Sequence, residues 1–230
     1  MARPAVAAIG LLLSGATLCV VALWNGRTAS TGPPPVVIGP KAVLLRTPDS
    51  FGLTAVAFSP DGRTVAAGRM ESSGTVVSLC DVASGQERAT IKASSVESCA
   101  IAFSPDGKLL ASGGGGAAKL WDLATESAST IIEAGDGVEV YCVSFSPDGL
   151  TLAVGVGSRD FGGSRGEVRR WDLKMGHVRV VLRRGMGRVR SLAFSPDGKA
   201  LVTGSGEAVV LWDLPAAMSP GIVAGKAESF

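Results

Sequence analysis

The chain has 230 residues and a formal net charge of +2. That length holds one domain with an appendage, and so slight an imbalance excludes a polyanion-binding role that rests on net charge. Hydrophobic residues make up 46%, enough for a core, and 31 glycines with 12 prolines suit many short strands joined by tight turns.

Ala5 to Trp24 is a run of twenty residues without a charge, flanked by Arg3 and Arg27. About twenty apolar residues, rising about 1.5 Å each in a helix, span a bilayer core. Residues 1–24 are therefore expected to form a transmembrane anchor or signal segment, with membrane contact through residues 5–24. A cleaved signal is the alternative, but its apolar region usually runs about 7–15 residues to a small-residue site. Thr28-Ala29-Ser30 matches such a site poorly. The positive charges flanking the run are nearly balanced, and the short N-terminal flank favours the rest of the chain lying outside the cytoplasm. Residues 25–41, with Pro33-Pro34-Pro35, read as a stiff linker.

From residue 42 the chain repeats itself. Phe-Ser-Pro-Asp-Gly occurs four times, beginning at Phe58, Phe103, Phe145 and Phe194, in steps of 45, 42 and 49 residues. Its other recurring members are Asp61 and Gly62, Asp106 and Gly107, Asp148 and Gly149, and Asp197 and Gly198. The approach to each copy alternates: Val56 and Phe58 against Ala55 and Ala57, Ile101 and Phe103 against Ala100 and Ala102, Leu192 and Phe194 against Ser191 and Ala193. Large and small faces at period two mark a strand buried between neighbouring sheets. Ser-Pro-Asp-Gly suits a hairpin turn: proline presets φ, aspartate accepts from backbone N–H groups, and glycine takes the left-handed conformation. A second strand follows, at Val65–Ala67, Leu109–Ala111, Leu152–Val154 and Leu201–Thr203. A third ends in Cys80-Asp81, Trp121-Asp122, Trp171-Asp172 and Trp212-Asp213. Here the tryptophan supplies an apolar plate and the aspartate caps the next turn. A fourth, weaker strand follows at Ala89–Ile91, Thr130–Ile132 and Arg179–Leu182, with Val43–Leu45 ahead of the first copy and none evident after Asp213.

This pattern resembles the WD-repeat β-propeller family over residues 42–214, leaving 215–230 as a C-terminal tail. The resemblance implies an all-β fold of four four-stranded blades, incomplete or open, behind an N-terminal hydrophobic helix. It also implies that Val43–Leu45 pairs beside Val209–Trp212 to complete the last blade. Four blades is the low end for a propeller, so a tight or gapped ring, two chains combining into eight blades, and a truncated copy are all open. The exposed edges of an open arc favour self-association. Family members often carry a Gly-His pair and a turn aspartate that join a Ser or Thr and the tryptophan in a buried network. No copy here has that histidine, so the network is expected to be absent.

Little supports catalysis. His177 is the sole histidine and falls in a turn after Trp171-Asp172. Asp61, Asp106, Asp148 and Asp197 belong to separate turns and do not converge, and the Gly113–Gly116 run lacks the lysine of a phosphate loop. Cys19 lies in the apolar run, and Cys80, Cys99 and Cys142 show neither CxxC spacing nor a nearby histidine. No zinc site, cofactor or catalytic residue is expected. The distinctive local feature is basic: residues 159–190 hold nine arginines and carry +7, against +2 for the whole chain. Arginine beside an exposed aromatic is typical of binding hot spots. An acidic segment of a partner protein is expected to dock through Arg159, Phe161, Arg165, Arg184 and Arg188. Nucleic acid is disfavoured because interleaved stacking aromatics are lacking. The expected role is a non-catalytic scaffold, membrane-tethered or exported. The alternatives are a structural or relict fragment of a larger propeller, or a non-catalytic subunit of an enzyme complex.

Overall fold

A computed structural model describes residues 52–94, 100–158, 166–206, 208–214 and 221–224. Every helix or strand among them is a strand. The first sheet is β1 (Gly52–Phe58), β2 (Thr64–Glu71), β3 (Gly74–Asp81) and β4 (Glu87–Ser94). The second is β5 (Ala100–Phe103), β6 (Leu109–Gly114), β7 (Ala117–Asp122) and β8 (Ser127–Glu133). The third holds β9 (Val138–Phe145), β10 (Thr151–Ser158), β11 (Gly166–Asp172) and β12 (His177–Met186), and the fourth β13 (Ser191–Phe194), β14 (Ala200–Gly204) and β15 (Val209–Asp213). Consecutive strands within each sheet are antiparallel.

Two expectations need correction. The third sheet has five strands and not four, while the fourth has three among the described residues, the strand expected to complete it, Val43–Leu45, lying outside them. The extra strand, β16 (Gly221–Ala224), lies inside the stretch read as a tail. It pairs in parallel with β12, Val180 opposite Gly221 and Arg183 opposite Ala224, and not with β15. The Val43–Leu45 strand and the apolar stretch 5–24 lie outside the described residues. Among the described residues no helix is long and apolar enough to cross a membrane.

The four turns repeat one hydrogen-bonding pattern. In the first, the Ser59 hydroxyl donates to Asp61 at 2.6 Å and accepts from the Thr64 N–H at 2.9 Å, while Asp61 accepts from the Arg63 N–H at 3.0 Å. Ser104 with Asp106, Ser146 with Asp148, and Ser195 with Asp197 do the same. Gly62 closes the turn at φ 68°, where a side chain would be strained. The strand-end aspartates cap the next turn as expected: Asp122 accepts from the Thr125 and Ala124 N–H groups, and Asp172 from those of Met175 and Lys174.

These bonds hold the carboxyls below the usual aspartate range. The serine hydroxyl is the main cause at Asp61, Asp106, Asp148 and Asp197, and backbone N–H groups are at Asp81, Asp122 and Asp172. A group with a depressed folded pKa stabilises the fold above its unfolded pKa of about 3.9, and that stability is lost as pH falls through the lower folded value. Thermal unfolding followed by circular dichroism should therefore give a melting temperature that is flat near neutrality and drops steeply below about pH 4.

The sheets stack through a junction used three times. Ala66, Val77, Leu79, Ile91 and Ala93 of the first sheet cover Leu110 and Trp121 of the second. Ala111, Ala118, Leu120 and Ile132 of the second cover Val143, Phe145 and Leu152 of the third. Ala153, Val168, Val180 and Leu182 of the third cover Leu201, Val210 and Trp212 of the fourth. Small faces allow close approach: a Cβ on Gly155 would lie 3.2 Å from Leu192 Cδ2 of the fourth sheet, and one on Gly113 of the second sheet 2.5 Å from Val140 Cγ1 of the third. The turns follow the same order, with Gly107 against Pro60, Gly149 against Pro105 and Gly198 against Pro147. The inner strands adjoin as β1, β5, β9 and β13, the radial order of a propeller. The arc stays open: Phe145 is 7% exposed inside it, whereas Phe58 on the first sheet is 66% exposed.

Candidate interaction surface

The basic segment folds into β11, β12 and the connections around them. Register decides which of its charges are available. Glu167 of β11 lies directly opposite Arg183 of β12, and Arg169 follows two residues along, on the same face. Glu167 accepts from Arg169 Nε at 2.6 Å and from Arg183 Nε at 2.5 Å. Burial pushes this carboxyl up, but the two arginines outweigh it and hold it below the usual range. Arg169 also donates to the Ala134 carbonyl at 2.6 Å, tying the third sheet to the second. Arg179 pairs with Asp172 at 3.2 Å. Three of the nine arginines are thus engaged by the segment's own acids, Glu167 and Asp172, which leaves its net +7 unchanged.

Arg170 occupies a place that sequence reading passed over. Leucine precedes the strand-end pair at Leu79, Leu120 and Leu211, and Arg170 replaces it in the third sheet. It is buried, with its guanidinium 5.9 Å from the Phe194 ring centroid. Neither Nε nor Nη1 has a hydrogen-bond acceptor. Burial depresses its pKa, and the Asp148 charge partly offsets this. The clue was available in the repeat itself, where one copy breaks the leucine rule.

Of the five expected docking residues, Arg159, Phe161 and Arg165 lie outside the described residues. Arg184 falls within β12. Arg188 follows β12, donates through Nε to the Ser158 carbonyl at 3.0 Å, and sits 5.6 Å from the Tyr141 ring centroid. Tyr141 in turn donates to Glu139 at 3.0 Å; sequence reading had not singled it out. The close approach is possible because position 157 is glycine, where a Cβ would lie 2.7 Å from the Arg188 backbone. The end of β10, which leads into the arginine-bearing 159–165 connection, therefore lies directly against the connection after β12.

The remaining candidates are structural. His177 opens β12 and is exposed, its Nδ1 3.2 Å from the Met175 carbonyl. A cleft between the first two sheets is lined by Asp61, Asp106, Glu126, Arg88 and Phe103. Both aspartates there are bound into their turns, and Arg88 pairs with Asp81 at 2.7 Å. Cys80 and Cys142 are buried free thiols, and burial pushes Cys142 up to about 12.

The buried polar network expected to be absent is present in part. Trp121 Nε1 donates to Ser112 at 2.8 Å, and Trp212 Nε1 to Thr203 at 2.9 Å. Each hydroxyl lies two residues beyond the leucine facing the tryptophan, at Leu110 and Leu201. Val154 takes that position in the third sheet, and in the first Ala67 does so where Cys80 replaces the tryptophan. The hydroxyl leg of the network thus stands without the histidine.

Comparison with known families matches the WD domain, G-beta repeat, at residues 42–77, 85–122, 128–172 and 177–213. No curated protein matches the chain. Each matched stretch after the first takes the last strand of one sheet and the first three of the next; together the four cover most of the sequence, so this chain belongs to the WD domain, G-beta repeat family.

Proposed function

We propose that this protein is a non-catalytic interaction scaffold, held at a membrane or exported by residues 5–24, that docks an acidic segment of a partner protein on the loops of its third sheet. WD repeats generally mediate protein–protein contact, and this chain carries four. The observation that carries the finer reading is the bond from Arg188 to the Ser158 carbonyl at 3.0 Å. It sets the end of β10, the residue before Arg159 in the chain, against the connection that carries Arg188 and Arg190. Clustered charge of one sign steers and selects an oppositely charged partner.

The test is pull-down from the native source with full-length bait, comparing the parent with an Arg184→Glu, Arg188→Glu double variant of matched melting temperature. The partner recovered by the parent should be lost from the variant, and its recovery should weaken as salt is raised. Equal recovery of the same partner by both baits would remove docking on this face.

A further inference from the structure

Each internal junction presents one sheet's small face to the next sheet's large face. Val77, Ala118 and Val168 hold equivalent places on the small faces of the first three sheets, and each is 0% exposed because the following sheet covers it. Val209 holds that place in the fourth sheet and is 77% exposed, with Leu211 beside it at 67%. The opposite end shows the complement. Phe58 and Val56 stand on the large face of the first sheet and are exposed, where Phe145 and Val143 are buried. The turns agree: Gly107, Gly149 and Gly198 each lie against a proline of the preceding turn, whereas a Cβ on Gly62 would meet nothing within 4 Å.

The two ends are therefore halves of the same junction, and among the described residues they do not meet each other. We propose that a second copy of this chain joins them: two four-sheet arcs meet head to tail, the fourth sheet of each covering the first sheet of the other, in a ring of eight. Val209 and Leu211 of one copy cover Val56 and Phe58 of the other, and Pro196 seats on Gly62. A second copy fits because the same kind of junction already recurs three times in the chain, apolar in each case apart from Arg170 of the third sheet. Head-to-tail contacts close when the rotations sum to a full turn, and eight sheets lie within the range of propellers. This proposal is independent of the docking face on the third sheet.

The experiment uses the full chain in mild detergent, with a photo-crosslinking residue replacing Phe58 and an equal mixture of isotopically light and heavy copies. The expected result is a protein mass of two chains across the micromolar range, with light-to-heavy crosslinks from position 58 into residues 209–211. Leu211→Asp changes an exposed side chain, so the fold is retained while the two-chain species and the crosslink are lost. A one-chain mass, an open-ended series of masses, crosslinks confined to one copy, or a two-chain mass unaffected by Leu211→Asp would each overturn the proposal.

Discussion

Replacing Trp212 by alanine is expected to cost about 3–5 kcal/mol of stability, the usual loss when a large aromatic is deleted from a packed core. Its side chain is buried in the junction between the third and fourth sheets, against Val168, Val180 and Leu182. Truncation leaves a void there, and it also removes the hydrogen bond that the indole N–H donates to the Thr203 hydroxyl at 2.9 Å. Trp212→Phe separates the two losses: it keeps most of the apolar plate and should cost about 1 kcal/mol from the hydrogen bond, plus a small packing defect. Sheets held only by their neighbours open locally. Hydrogen exchange should therefore show the alanine variant loosening β13 to β15 first, with urea unfolding giving the size of the effect. A loss below about 1 kcal/mol would mean that the fourth sheet is not packed as described.

The opposite sign is expected at Arg170. Leucine occupies the equivalent place in the other three sheets, and the Arg170 guanidinium is buried with Nε and Nη1 unpaired. Unpaired buried donors cost about 1–3 kcal/mol, more for charged groups, and replacing buried charge by a well-packed apolar side chain is often stabilising by about 1–4 kcal/mol. Arg170→Leu should therefore raise stability by about 1–3 kcal/mol, read as a higher urea midpoint with an unchanged slope. The stacking of Arg170 on Phe194 and the nearby Asp148 charge work against that gain. A midpoint that falls would show that these two contacts outweigh the missing acceptors.

The parts legible in the sequence are those set by neighbours along the chain. Ser59, Asp61 and Gly62 form their turn within a few residues, and the Val56/Ala57 alternation sets two faces without reference to any other sheet. What escaped reading depends on register. The arginines of residues 159–190 count as a free basic patch until Glu167 is known to face Arg183 across two strands. The Trp121–Ser112 bond needs the same knowledge, since the hydroxyl lies on the neighbouring strand. Gly221–Ala224 is too short to stand out as a strand, and only its pairing with β12 makes it one. Arg170 is the exception, because comparison of the four copies alone marks it as out of place.

The return of β16 to the edge of β12 sets the order in which the chain comes apart. Beyond β15 the polypeptide comes back to the third sheet, so both connections of the fourth sheet lead to the same neighbour. A pull applied from the C-terminal side of β16 must peel it from β12 before any tension reaches β15. The fourth sheet, three-stranded among the described residues, is thereby sheltered behind a clasp anchored on the sheet that precedes it.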